Sequence, residues 1–333
     1  MTEGTAPGRR NLLLAGLAGA LATPAPTAPA LAQPAPTGRP LRLVVAASPG
    51  SGGDIVARLV AEPMQQTLGR TIVIENRPGA SGNLGAEVVA RAAPDGETVL
   101  LTAGAIAIAP SVNKHLSYSP LDDLTGVALL AMVPLLIVVR PESPLRSIAD
   151  LLALVRQKGE GVSYGSFGIA SPPHLVGARI AQDAGRPMTH VPYRLSSTAL
   201  PDILSGALDL AILDAVAMSP QVREGRLRAL AITGPKRSTA FSDLPTLSEA
   251  GVAFDTVGWH GAFAPARTPA ELLARWNDAF VRAVAVPRVR EAIIAGGSVP
   301  VDPALSATEW QARFRADVAA WGAVARAARI EVE

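Results

Sequence analysis

Two glycine-rich segments and two polar strand ends carry the residues of this chain best suited to chemistry. Ser48-Pro49-Gly50-Ser51-Gly52-Gly53-Asp54 joins an apolar run to a helix-period pattern. Small side chains let the backbone approach a ligand, and the N–H groups of a helix N-terminus suit an anion. Asp54 fits equally well as an N-cap or first-turn acid. The segment is no dinucleotide fingerprint, because Ile55 stands where the third glycine belongs, and no Gly-Lys-Ser/Thr follows to make a phosphate loop. Gly79-Ala80-Ser81-Gly82-Asn83-Leu84-Gly85 is a second such helix start, for which turn chemistry alone is a sufficient account. Further on, Tyr164-Gly165-Ser166-Phe167-Gly168-Ile169-Ala170-Ser171-Pro172-Pro173-His174 offers hydroxyls and amides between a strand and a helix. His190-Val191-Pro192-Tyr193-Arg194 puts a phenol and a guanidinium at another strand's end; a partly buried structural role is the commoner one for its histidine.

Other chemistries find little support. Gly161-Val162-Ser163-Tyr164-Gly165 matches G-x-S-x-G, but its serine lies inside a strand pattern and not on the strand-to-helix turn that a nucleophile elbow requires. Cysteine is absent, which removes disulfides, thiolate sites and Cys nucleophiles. His115, His174, His190 and His260 are never three or four residues apart, so no zinc site and no cofactor is expected. The reading is therefore of a binding protein and not an enzyme.

The elements that must position these residues alternate between strand and helix. Strands are predicted at 41–47, 71–74 and 99–102, with a helix over Ile55, Val56, Leu59 and Val60 and a short one at 83–92. The apolar stretch 127–139 is broken by Pro134, as two strands or one strand crossing between domains. Helices at 147–157, 173–184, 196–205 and 217–225 then alternate with strands at 162–164, 189–191, 208–213 and 227–233. The last part reads as helices near 269–284, 286–295 and 307–328. Such alternation predicts an α/β protein with parallel strands in two similar lobes and a cleft where the loops converge.

The 333 residues are ample for two domains, and 49% hydrophobic against 17% charged residues permits a large core. Without residues 1–32 the balance is 28 basic against 27 acidic residues, and no Lys/Arg run exceeds two, which argues against a nucleic-acid surface. Arg9-Arg10 stand directly before an apolar run of about eleven residues, 12–22, too short to span a bilayer. A proline-rich stretch and Ala30-Leu31-Ala32 follow, the form of an export signal cleaved after Ala32, of twin-arginine type, with 33–39 as a linker. A periplasmic, soluble mature protein is expected.

Read together, these motifs resemble one family. Asp54 in its Gly-rich loop, Glu75-Asn76-Arg77-Pro78-Gly79, Gly82-Asn83-Leu84-Gly85, Ala93-Pro94-Asp95-Gly96, His190-Val191-Pro192-Tyr193, Leu227-Arg228-Ala229-Leu230-Ala231, Leu244-Pro245-Thr246, Glu249-Ala250-Gly251 and Ala264-Pro265-Ala266-Arg267-Thr268-Pro269 are similar to the Bug family, the extracytoplasmic solute receptors of tripartite tricarboxylate transporters. The resemblance spans about 40–330. It implies an α/β, two-lobed periplasmic-binding-protein fold of type II-like form, each lobe a mixed sheet flanked by helices. Lobe 1 would be 40–140 plus 254–333 and lobe 2 141–253. A small carboxylate would be held in the cleft, largely by backbone amides, hydroxyls and water. The implied ligand residues are Ala47, Gly50, Ser51, Asp54, Thr102, Gly104 and Ala105 of the first lobe, and Ser166, Ser171, His174, Tyr193, Ser196 and Asp214 of the second. Implied partners are the carboxylate and inner-membrane permease subunits, with a monomeric receptor.

Departures from the family pattern bear on specificity. Ala47 stands where an aromatic is usual, Leu195 where glycine is usual, and Thr102-Ala103-Gly104-Ala105 where Thr-Asn-Gly-Thr is common. These changes point to a ligand smaller, less polar or more aromatic than citrate. A receptor presenting ligand to a periplasmic sensor is the alternative role, and a serine hydrolase at 161–165 the remote one.

Overall fold

The computed structural model describes residues 38–193, 196–328 and 330, without the side chains of 196 and 197. Arg194, Leu195 and the export signal with its cleavage site lie outside the described residues. In chain order the elements are β1 (Leu41–Val45), α1 (Gly52–Leu68), β2 (Ile72–Asn76), α2 (Asn83–Ala90), β3 (Thr98–Ala103), α3 (Ala105–Val112), β4 (Leu124–Val133) and β5 (Leu135–Val139). They continue with α4 (Ile148–Lys158), β6 (Ser163–Ser166), α5 (Pro172–Ala184), β7 (Thr189–Pro192), α6 (Leu200–Ser205), β8 (Leu210–Asp214), α7 (Ala215–Arg223) and β9 (Arg228–Ile232). The last are β10 (Gly258–Pro265), α8 (Ala270–Ala285), α9 (Pro287–Ala295), β11 (Val299–Pro300) and α10 (Ala307–Ala327).

Two mixed sheets result. The first runs β11-β4-β10-β3-β1-β2, the second β7-β6-β8-β5-β9. The strands of each strand–helix–strand run pair in parallel (β1 with β2 and β3, β6 with β7 and β8), so the alternation of the sequence is met there. Antiparallel partners come from β10 and β11 in the first sheet and from β5 in the second. Pro134 separates β4 from β5 and sends the chain from one sheet to the other, because a proline cannot donate to a continuing ladder. β5 thus belongs to the second sheet, although the expected boundary at 140 grouped it with the first lobe. The chain returns between β9 and β10.

β10 was not foreseen as a strand. Its sequence, Gly-Trp-His-Gly-Ala-Phe-Ala-Pro, mixes glycine and proline with aromatics, yet all eight residues are buried in the middle of the first sheet. Tertiary packing overrides propensity here. A Cβ on Gly261 would stand 2.5 Å from the Trp310 ring, and one on Gly258 2.8 Å from the Val133 carbonyl oxygen. Both glycines therefore buy close approach of neighbours. Helix α10 lays Trp310 and Phe314 against Trp259 and Phe263 in a set of edge-on and tilted rings 4.7–6.0 Å apart. The indole of Trp310 donates to the Ala262 carbonyl at 3.2 Å. These few aromatics supply the bulk that Ala, Val and Leu leave unfilled in the remaining core.

Candidate functional site

Between the sheets lies a cavity of about 870 Å³, within the range of sites for small organic molecules. The first sheet contributes the ends of β1 and β3, the first turns of α1 and α3, the 78–83 turn and the start of β10. The second contributes Phe167 to Ala170, Pro172, Pro192, Tyr193 and Asp214. Its wall is richest in alanine and glycine, with Val, Leu, Ile, Pro and aromatic side chains among them. Among the described residues that line it, Asp214 has the one formally charged side chain and no lysine or arginine takes part.

The loop after β1 is built around a buried acid. Asp54 accepts from the Gly50 N–H at 2.8 Å, from Arg58 Nε at 3.0 Å and from Asn76 Nδ2 at 2.9 Å. Asn76 Nδ2 also donates to the Ala47 carbonyl at 3.1 Å, which docks the Glu75-Asn76 segment onto the loop. Burial opposes the Asp54 charge, but the donors Arg58, Gly50 and Asn76 outweigh it and hold the carboxyl below its ordinary pKa. Gly50 takes φ +77°, which sets the turn. With Asp54 turned inward and Gly50 N–H committed to it, what faces the cavity is Ala47, Ser48, Ser51, Gly52 and Gly53. Ser51 is the α1 N-cap but makes no side-chain cap bond, and its Oγ is buried without a partner. Thr102, Gly104 and Ala105 also line the cavity, where α3 begins. Two helix N-termini thus open into one apolar chamber, each carrying partial positive charge on its first N–H groups.

The second loop spends its polar groups on itself. Ser166 Oγ donates to the Gly168 carbonyl at 3.0 Å and accepts from the Gly168 N–H at 3.1 Å. It lies 2.7 Å from His190 Nε2. Ser171 Oγ donates to the same carbonyl at 2.6 Å, and His174 Nδ1 accepts from the Ala170 N–H at 3.0 Å. The rings of His174 and His190 stack at 3.9 Å and 7°. Burial pushes both down to about 4, the neighbouring ring adding to the effect on His190, so both are neutral near pH 7. Ser166, Ser171 and His174 therefore stand behind the cavity wall and shape Phe167 to Ala170, which form it. Pro172 and Pro173 open α5 and leave its first two positions without N–H groups to offer.

Tyr193 does line the cavity, with its hydroxyl donating to Asp202 at 2.6 Å. Burial and the Asp202 carboxylate raise its pKa to about 12. Asp214 caps α7 by accepting from the Ala217 N–H at 2.8 Å. The Ser196 side chain lies outside the described residues. Ser163 is inside β6 and exchanges hydrogen bonds with Asp209, its Oγ donating at 3.0 Å.

Sequence reasoning missed the 79–82 turn as a wall. Gly79, Ala80, Ser81 and Gly82 all have positive φ, a costly arrangement for Ala80 and Ser81. Asn83 braces it by donating to the Ala80 carbonyl at 2.7 Å while accepting from Tyr118 at 2.8 Å. A Cβ on Gly168 of the facing loop would stand 3.9 Å from Ser81 Oγ, so the two loops meet across the cavity mouth. Trp259 and His260 were missed because their strand was.

Two mixed, helix-flanked sheets with a ligand-sized chamber between them define a periplasmic-binding-protein fold. Residues 56–329 match the family model of the Tripartite tricarboxylate transporter family receptor, TctC, and the chain belongs to that family of periplasmic solute-binding receptors, the Bug proteins. It is 36% identical over 283 residues, 84% of this chain and 81% of the relative, to a UPF0065 protein in the TAR-I ttuE-ttuC' intergenic region of Agrobacterium vitis. Among solved structures it is similar to the periplasmic binding protein BugD, at 31% identity and TM-score 0.80, covering 88% of this chain and 99% of that one. It is also similar to Rpa4515 of R. palustris with adipate, at 32% identity and TM-score 0.79, covering 87% and 97%.

Proposed function

We propose that this receptor captures a small organic carboxylate in the chamber and delivers it to the membrane subunits of a tripartite tricarboxylate-type transporter. The observation that carries the reading is the pair of helix N-termini, of α1 and α3, opening into an apolar cavity that no lysine or arginine lines among the described residues. Backbone N–H groups suit a carboxylate without requiring an arginine clamp. The adipate-bound relative supports the same ligand class. Ala47, Ser51, Thr102, Gly104 and Ala105 would meet the ligand from the first lobe, Tyr193 and Asp214 from the second. The lobes would hinge at Pro134 and between 233 and 257, closing because only the closed form lets both touch the ligand. Export to the periplasm, with cleavage after Ala32, completes the reading.

Thermal shift of the protein from Gln33, refolded free of carried-over solute, tests it against mono-, di- and tricarboxylates and aromatic acids. A ligand at 100 times its Kd adds about 2.7 kcal/mol, a shift of several degrees. A carboxylate that stabilises the protein and contracts it in solution scattering supports the reading. A blank panel argues against it.

A further inference from the structure

His260 lies in the middle of β10, between Ala103 of β3 and Ala131 of β4, and is 5% exposed. Its ring reaches the first turn of α1. A Cβ built on Gly52 would stand 3.5 Å from its Cε1, and one on Gly53 3.8 Å from its Nε2. Glycine at both positions leaves the imidazole edge beside the free N–H groups of that turn. Nδ1 is buried without a hydrogen-bond partner, as is Ser51 Oγ at the same helix start. Both residues line the cavity. Burial pushes the ring down to about 4, so near pH 7 it is a neutral group with one N–H to give.

A buried polar group left unpaired is costly; Ser51, Trp259 and His260 of the cavity wall each carry one, and the two that meet at the start of α1, Ser51 and His260, are best satisfied by an acceptor entering the cavity. The species that matches a hydroxyl, an imidazole N–H and a helix N-terminus at one spot is an anion with two acceptor oxygens. Its remaining body would face Ala47, Leu101 and Ala103, which favour carbon over further polar groups.

We propose that His260, Ser51 and the first turn of α1 form the subsite for the ligand's carboxylate, with His260 donating a hydrogen bond to it and the ligand's apolar body filling the chamber. This deepens the carboxylate-receptor reading and rests on it. Acetate, the headgroup alone, and adipate serve as probes in NMR of uniformly 15N-labelled protein, read at the histidine rings and the backbone amides, the His260 signals being assigned through His260→Gln. Saturable shifts of His260 and of the Gly52 and Gly53 amides, with His115, His174 and His190 unmoved, support the subsite. His260→Phe and Ser51→Ala should each weaken adipate roughly tenfold or more, and His260→Gln less, because an amide still donates. The wild-type titration decides the matter even where a variant folds poorly. If neither probe moves the His260 and α1 signals, the subsite is overturned. If another carboxylate stabilises the protein in the thermal panel with His260 unmoved, the subsite fails while the receptor reading stands.

Discussion

The loops 48–54 and 166–174 are close in composition, both small, polar and placed between a strand and a helix, yet they do opposite work. The first turns its one acid inward and leaves Ser51, Gly52 and Gly53 open to the cavity. The second turns its serines and histidine inward and presents Phe167 and Ile169. The difference lies at the helix starts. α1 begins Gly-Gly-Asp and keeps its N–H groups, whereas α5 begins Pro-Pro and has none to give in its first two positions. The first loop thus brings N–H groups to the cavity and the second loop brings mainly carbon, while Tyr193 and Asp214 line the cavity elsewhere on the second sheet's side.

The comparison breaks first at Asp54. Asp54→Ala leaves the Gly50 N–H and Asn76 amide without their shared acceptor in a buried setting. A loss of about 3 kcal/mol in urea unfolding is expected, together with at least tenfold weaker carboxylate binding as the loop loses its shape. Stability unchanged within error would mean that the loop is held by something other than its acid.

Ser166→Ala tests the second loop. It strands the His190 ring and the Gly168 N–H, while the Gly168 carbonyl keeps Ser171 as its donor, with an expected loss of about 2 kcal/mol. Ligand affinity should change less than in Asp54→Ala, because Ser166 shapes the wall from behind. A variant with normal stability but abolished binding would instead place Ser166 on the ligand.

These two loops also show how far the sequence was legible. Their positions could be read from glycine, serine and proline content, and the strand–helix alternation gave most elements of both sheets but not α3, β10 or β11. Which polar groups face the ligand could not be read, because Ser51, Ser166 and Ser171 look alike until the hydrogen bonds of Gly168 and Asp54 are known. One signal was present: prolines at 172 and 173 already remove the first two N–H groups of α5. His260 carried none, since only packing against Trp310 and β4 makes Gly258–Pro265 a strand.

The stacked histidines make a pH comparison between the lobes. His174 and His190 in the second lobe and His260 in the first all have pKa values lowered to about 4 from 6.5. Below pH 6.5 the unfolded chain binds protons that the folded one refuses, so stability must fall as pH drops from 6.5 towards 4. The buried His260 contributes up to about 1.4 kcal/mol per pH unit, and the partly buried His174 and His190 less. Urea midpoints at pH 7 and 5 should show this slope, reduced in His190→Asn. A flat profile would mean that the stack is already protonated and partnered.

The smallest effect is expected at Gly50, and it separates conformation from contact. Its φ of +77° excludes most side chains, but a Cβ there would meet nothing within 4 Å. Gly50→Ala therefore pays only the left-handed backbone cost, about 1 kcal/mol, and Gly50→Asn less because asparagine tolerates that region. The Gly50 N–H is already given to Asp54, so neither change should alter carboxylate affinity by more than a few-fold. If Gly50→Ala abolished binding while costing no more than this in stability, the ligand would have to touch the outer side of the turn. The open face of the first loop would then extend beyond Ser51, and the division of labour between the two loops would have to be redrawn around Gly50.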